Sequence, residues 1–108
     1  MKIVCNKSDI LSGVNIVSKA VPNKTTMSIL ECILIDASQE KIKLIANDTE
    51  LGIETIVNGE VEEKGKIALD AKLFGDIVRK LPDSTVTIYC DNSLKTTIKC
   101  EKADFCIM

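Results

Sequence analysis

The run KIALDAKLFGDIVRKLP, residues 66–82, holds a strand, a helix and a stop in direct succession. Lys66 to Leu69 reads as a strand. Asp70 to Leu81 reads as an amphipathic helix. Pro82 ends it, because the proline ring disfavours a helical conformation at the residue before it. The same grammar opens the chain. Met1 to Asn6 is a short apolar-rich strand, Ser8 to Val21 a helix, and Pro22 its stop. Three strand-like runs follow each helix: Ile29 to Asp36, Lys41 to Ala46 and Leu51 to Asn58 after the first, and Thr85 to Cys90, Leu94 to Cys100 and Ala103 to Met108 after the second. A strand-helix-three-strand unit used twice predicts an α+β domain over 1–108. It is built of two β-α-β-β-β repeats, with both helices on one side of a long antiparallel sheet.

Each helix predicts an inner and an outer face. In the first, Ser8 is the expected N-cap and Asp9 suits the positive helix end. Ile10, Val14, Val17 and Val21 fall on one arc, widened by Leu11. Gly13 lies at its edge, where a second element could approach closely. Ser8, Ser12, Asn15 and Lys19 form the opposite face, and Ile16 fits neither. In the second, Asp70 is the expected N-cap and Leu73, Phe74, Ile77, Val78 and Leu81 the buried stripe. Lys72, Gly75, Asp76 and Arg79 are expected outside, with Lys80 on the flank. The polar, acidic stretch from Asn58-Gly59 to Gly65 reads as a connection between the repeats. Ala37 to Glu40 and Cys90-Asp91-Asn92-Ser93 read as hairpin turns.

Composition narrows the function. Apolar residues are 45% of the chain and charged residues 28%, as in ordinary globular domains. Phe74, Tyr89 and Phe105 are the only aromatics, too few for a base-stacking platform. With a net charge of -2, contact with nucleic acid must come from a local basic cluster. No apolar run is long enough for a membrane span and no signal peptide is present, so the cytoplasm is the expected compartment. The closing run Phe105-Cys106-Ile107-Met108 ends in mid-strand without a polar tail, and reads as a cut end.

Histidine is absent, so activating a Ser or Cys nucleophile would fall to Lys or a carboxylate. No phosphate-binding glycine loop and no G-x-S-x-G occur. The five cysteines, Cys5, Cys32, Cys90, Cys100 and Cys106, include no C-x-x-C pair and read as reduced strand residues. Asp48 and Glu50 beside Asn47 read as turn-shaping carboxylates, since two carboxylates make a weak cation site. No metal, cofactor or catalytic residue is expected. The basic residues are more suggestive. Lys72 and Arg79 project from one side of the second helix, Lys19 from the outer face of the first, and Lys24 follows Pro22. Phosphates require only spaced positive charge, so such a surface could hold duplex DNA without reading its sequence. The competing reading is a solvated helix face, with Asp76 pairing to Lys72 or Arg79.

The order of several motifs resembles the first domain of the bacterial sliding clamp family, the beta subunits of DNA polymerase III. These are the Met-Lys strand leading into Ser8-Asp9-Ile10-Leu11, the basic loop and strand start of residues 21–30 (VPNKTTMSIL), the turn Asn47-Asp48-Thr49-Glu50-Leu51, and FGDIVRKLP at residues 74–82. Ser28 stands where the family usually has proline, Gly75 replaces a bulkier residue, and Lys24 and Lys72 stand where arginine is common. The resemblance implies the DNA-clamp fold and a processivity role: a homodimeric ring of three-domain subunits around duplex DNA, serving a replicative polymerase and a clamp loader. By the same resemblance Lys24, Lys72 and Arg79 would contact phosphates, with Lys19 and Lys80 secondary. The last strand, through Phe105 and Ile107, would form the subunit interface, its side chains partly exposed without a partner. Two alternatives from other classes are a saddle-shaped minor-groove binder using apolar wedges and a cysteine-dependent enzyme.

Overall fold

Strand β1 (Lys2–Asn6) runs straight into helix α1 (Lys7–Val17), which tightens into a 3-10 turn at Ser18–Ala20. Strands β2 (Cys32–Asp36), β3 (Ile42–Asn47), β4 (Gly52–Val57) and β5 (Gly59–Glu63) follow. The second unit is β6 (Lys66–Asp70), helix α2 (Ala71–Lys80), β7 (Thr85–Cys90), β8 (Thr96–Cys100) and β9 (Ala103–Ile107). The structure, a computed structural model, describes residues 1–21, 31–47 and 51–107. Expectations at Pro22, Lys24, Ser28, Asp48, Glu50 and Met108 lie outside the described residues.

The two repeats are present, but their strands form two antiparallel sheets where one long sheet was expected. One has the order β5-β1-β7-β8-β9, the other β4-β3-β2-β6. The repeats exchange their first strands. β1 pairs with β7 of the second repeat, setting Ile3 beside Ile88 and Cys5 beside Val86. β6 pairs with β2 of the first, setting Ile33 beside Leu69 and Ile35 beside Ile67. These four pairs are buried, so register and burial agree. One core joins the inner faces of both sheets to the buried stripes of both helices: Ile3, Ile10, Val14, Ile33, Ile35, Leu44, Phe74, Val78, Ile88 and Ile98 are fully buried. Each such side chain contributes roughly 1.5–3 kcal/mol by leaving water.

Gly59 shows how the chain changes sheet. A Cβ there would stand 2.5 Å from the Val4 carbonyl oxygen and 2.8 Å from both Cys5 Cβ and Ile42 Cδ1. Only glycine fits where the end of β4's sheet meets β1. The stretch read as a connection therefore pairs with β1 as an edge strand, Val61 beside Ile3. Its composition hid it, since Val61 is its only apolar side chain. The exposed Glu60, Glu62 and Glu63 suit an edge that must not attract another.

The helices differ from expectation in three places. α1 starts at Lys7, capped by the extended Asn6 without a side-chain bond, and Ser8 lies within the first turn. Lys7 N donates to the Ser84 carbonyl at 3.0 Å, so neighbouring backbone satisfies the first of the helix's free N–H groups. Val21 has extended backbone, and the helix ends earlier than the proline implied. In α2 the cap is as expected: Asp70 Oδ1 accepts from Leu73 N at 2.9 Å. Two flanking positions are reversed, however. Leu73 is 46% exposed and Gly75 is buried. The α2 stripe is centred on Phe74 and Val78 and leans towards Ala71 and Gly75, placing Leu73 outside.

Candidate nucleic-acid interface

The two helices run antiparallel and in contact. At one end, the Lys7 ammonium that opens α1 donates to the carbonyl of Arg79 near the end of α2, at 3.4 Å. A cation at that position also suits the negative end of the helix dipole. At the other end, Ser18 and Val21 face the start of α2 across a cavity of about 430 Å³, also lined by Glu31, Asp70, Ala71, Lys72 and Arg79. Lys72 and Arg79, seven residues apart, thus meet on one opening, as their spacing predicts. Lys19, Lys72 and Lys80 are exposed and carry no ion pair among the described residues. Lys19 and Lys80 share the outer helix layer but do not line the cavity. Lys24 lies outside the described residues.

Arg79 is held differently. Its Nη1 stands 3.5 Å from Asp76 Oδ1, an exposed i,i+3 pair. The pairing that competes with phosphate binding is therefore real, and it involves Arg79, while Lys72 is left unpaired. The guanidinium also folds back over Gly75, where an added Cβ would be 3.1 Å from Nη1. Side chains on a helix lean towards its N-terminus, and the row Ala71, Gly75, Arg79 runs one turn at a time in that direction. Two small residues leave a trough in which the guanidinium lies. Sequence reasoning placed Gly75 outside because a glycine has no side chain to declare its face. Lys7 was missed as well, since its contact links residues far apart in sequence.

Three of the five thiols are held in the neutral form by burial. Burial pushes Cys5 up to about 12, with Asp9 adding to the effect. Burial also raises Cys32 and Cys100. Cys100 Sγ donates to the Pro82 carbonyl at 3.3 Å. Cys106 is exposed on β9, 3.9 Å from Thr97 Oγ1. Among the described residues no group of three His, Cys, Asp or Glu side chains could hold a metal. On the outer face of the five-stranded sheet, a shallow groove of about 270 Å³ is lined by Lys2, Glu63, Thr87, Tyr89, Thr97 and Lys99. No phenylalanine wedge stands there, as the minor-groove reading would need.

On β9, Phe105 is half-buried, but Ile107 is only 8% exposed. The expectation that Ile107 is partly exposed is corrected. Strand alternation turns Phe105 and Ile107 to the domain's own core and turns Asp104 and Cys106 outward. Among the described residues β9 is an edge strand, and what it offers a neighbour is mainly that backbone edge.

The family model of the DNA polymerase III beta subunit, N-terminal domain, matches residues 1–108. The chain belongs to that family. Its relatives include the beta sliding clamp of Synechocystis sp., 38% identical over 97% of this chain, and that of Bacillus subtilis, 35% identical over 97%. Two crystal structures superpose closely. One, assigned to a DNA polymerase III beta subunit of Eubacterium rectale, is 68% identical with a TM-score of 0.99 over 100% of this chain. The other, the DNA polymerase sliding clamp of Bacillus subtilis, is 35% identical with a TM-score of 0.91 over 98%. The chain spans 29% and 30% of the two relatives' lengths and 30% of each solved chain. The DNA-clamp fold, with two helices over antiparallel sheets, is shared with these structures.

Proposed function

We propose that this chain acts as the first domain of a sliding clamp, helping to close a ring around duplex DNA and to keep a replicative polymerase on its template. The observation that carries this reading is the outer face of the helix pair. There Lys19, Lys72, Arg79 and Lys80 gather on a chain whose net charge is -2. Concentrating positive charge on one face lets an acidic protein meet phosphates there and avoid them elsewhere. Lys24 joins this set by its match to the family's basic loop. Such contacts carry no sequence information and are individually weak, so a ring can slide while its closure prevents loss. The work is topological, and the chain performs no chemistry of its own. In the ring, the backbone edge of β9, with Phe105 beside it, pairs with a domain of the neighbouring subunit. Polymerase and clamp loader engage the full-length protein in the cytoplasm.

The test is retention on DNA of different topology. Full-length protein carrying this domain is loaded onto nicked circular duplex, and half of the sample is linearised. Retention on circles at 150 mM salt with release from linear DNA is the expected result. Equal retention on both would overturn the encircling role.

A further inference from the structure

We infer that Gly75 and Asp76 together hold Arg79 in a retracted, self-neutralised position on the DNA-facing helix, so that its grip on phosphate is limited by the chain itself. The inference rests on the proposed DNA-facing role of α2 and adds a regulation of that surface. Two contacts of the same guanidinium carry it. Asp76 Oδ1 lies 3.5 Å from Arg79 Nη1, so the guanidinium already has an anionic partner. Beneath it, the missing side chain at Gly75 lets the guanidinium lie along the helix instead of projecting from it. The side chains of both ion-pair partners are half exposed, so the pair is in open exchange with solvent. A pair of that kind holds its partners only weakly. Arg79 therefore has two accessible states, one tethered along Ala71 and Gly75 and one extended towards a phosphate. A duplex must displace Asp76 to recruit it. Lys72 and Lys80 have no such tether and contact phosphate directly. For a ring that must slide, one strong bidentate contact held in reserve keeps the surface attractive without letting it arrest.

The experiment is a double-mutant cycle in duplex binding by the intact protein at 50 mM salt, with Asp76→Asn, Gly75→Ala, Arg79→Ala and the Asp76→Asn/Arg79→Ala double variant. Removing any carboxylate near DNA helps binding by simple charge. The cycle separates that from release of Arg79. The expected result is about two- to five-fold tighter binding for Asp76→Asn, from the strength of exposed ion pairs. In the Arg79→Ala background that gain should fall to the smaller one that loss of a carboxylate gives by charge alone. Gly75→Ala, which pushes Nη1 away from the helix, should tighten binding in the same direction by a smaller factor. In the protein without DNA, the Arg79 Nε–Hε resonance should show restricted motion in the wild type and fast motion in Asp76→Asn. A gain from Asp76→Asn that is undiminished without Arg79, or an Arg79 side chain equally mobile in both, overturns the tether. No loss of binding in a Lys72→Ala/Arg79→Ala/Lys80→Ala variant would instead overturn the DNA-facing role of α2, a distinguishable failure.

Discussion

Helices α1 and α2 hold equivalent places in the two repeats, with matching inner faces and contrasting outer ones. Ile10, Val14 and Val17 correspond to Phe74, Val78 and Leu81, all buried. Outside, Ser8 corresponds to Lys72, Ser12 to Asp76, Asn15 to Arg79 and Ile16 to Lys80. The shared core constrains one face of each helix and leaves the other free, and at these four outer positions all of the charge sits in the second repeat. Their glycines differ in the same way. At Gly13 a Cβ would stand 2.8 Å from Val57 Cγ2 and 2.9 Å from Leu44 Cδ1, so this glycine lets α1 settle onto β3 and β4. Its counterpart in α2 is the larger Ile77. The nearest atoms to a Cβ at Gly75 all belong to the movable end of Arg79. One glycine serves packing; the other serves the surface.

Opposite stability effects should follow from that contrast. Gly13→Val overfills a site walled by core side chains and should destabilise the domain by about 3 kcal/mol. Gly75→Ala should stabilise it by about 0.5–1 kcal/mol, because alanine favours the helix and only a side-chain tip must move. Urea unfolding of both variants checks this, and equal signs would break the distinction between the two helices.

The hairpin turns of the two repeats extend the comparison. Asp36 Oδ1 accepts from Ser38 N at 3.0 Å and Oγ at 2.6 Å; Asp91 Oδ1 accepts from Ser93 N at 2.9 Å and Oγ at 2.7 Å. Only the second turn places a non-glycine residue at positive φ, Leu94 at 65°, with its side chain 65% exposed. Leu94→Gly should therefore raise stability by about 0.5–1 kcal/mol after allowing for the freer unfolded chain. A loss of stability would mean that the exposed leucine has a packing role. The smallest effect concerns acid. The serine hydrogen bonds are the first cause holding both carboxyls below their usual range. A lowered native value contributes stability above the ordinary carboxylate range near 3.9, and that contribution is lost as pH falls through the native value. Asp36→Asn and Asp91→Asn should each flatten the acid limb of a pH–stability curve slightly and equally.

The elements that were legible in the sequence are those whose signal is local. Alternation set β7 and β3 to within a residue, Asp70 announced the start of α2, and Lys72 and Arg79 declared a common face by spacing. What was hidden depended on distant parts of the chain. The edge strand β5 is defined by pairing with β1, since Val61 alone could not mark it. The division into two sheets comes from the exchange of β1 and β6 between repeats, which no local pattern encodes. The first N–H of α1, on Lys7, is satisfied by the Ser84 carbonyl, far along the chain. The burial of Ile107 followed from strand phase, which the expectation of an exposed interface overrode.

The most direct test of the account is the salt dependence of duplex binding by the full-length ring, comparing wild type with Lys72→Ala, Arg79→Ala and the pair. If these cations meet phosphates, the slope of log affinity against log salt should become shallower by about 1 for each charge removed, with weakening independent of DNA sequence. Slopes unchanged from wild type in all three variants would contradict the claim that this helix face is the DNA-facing surface.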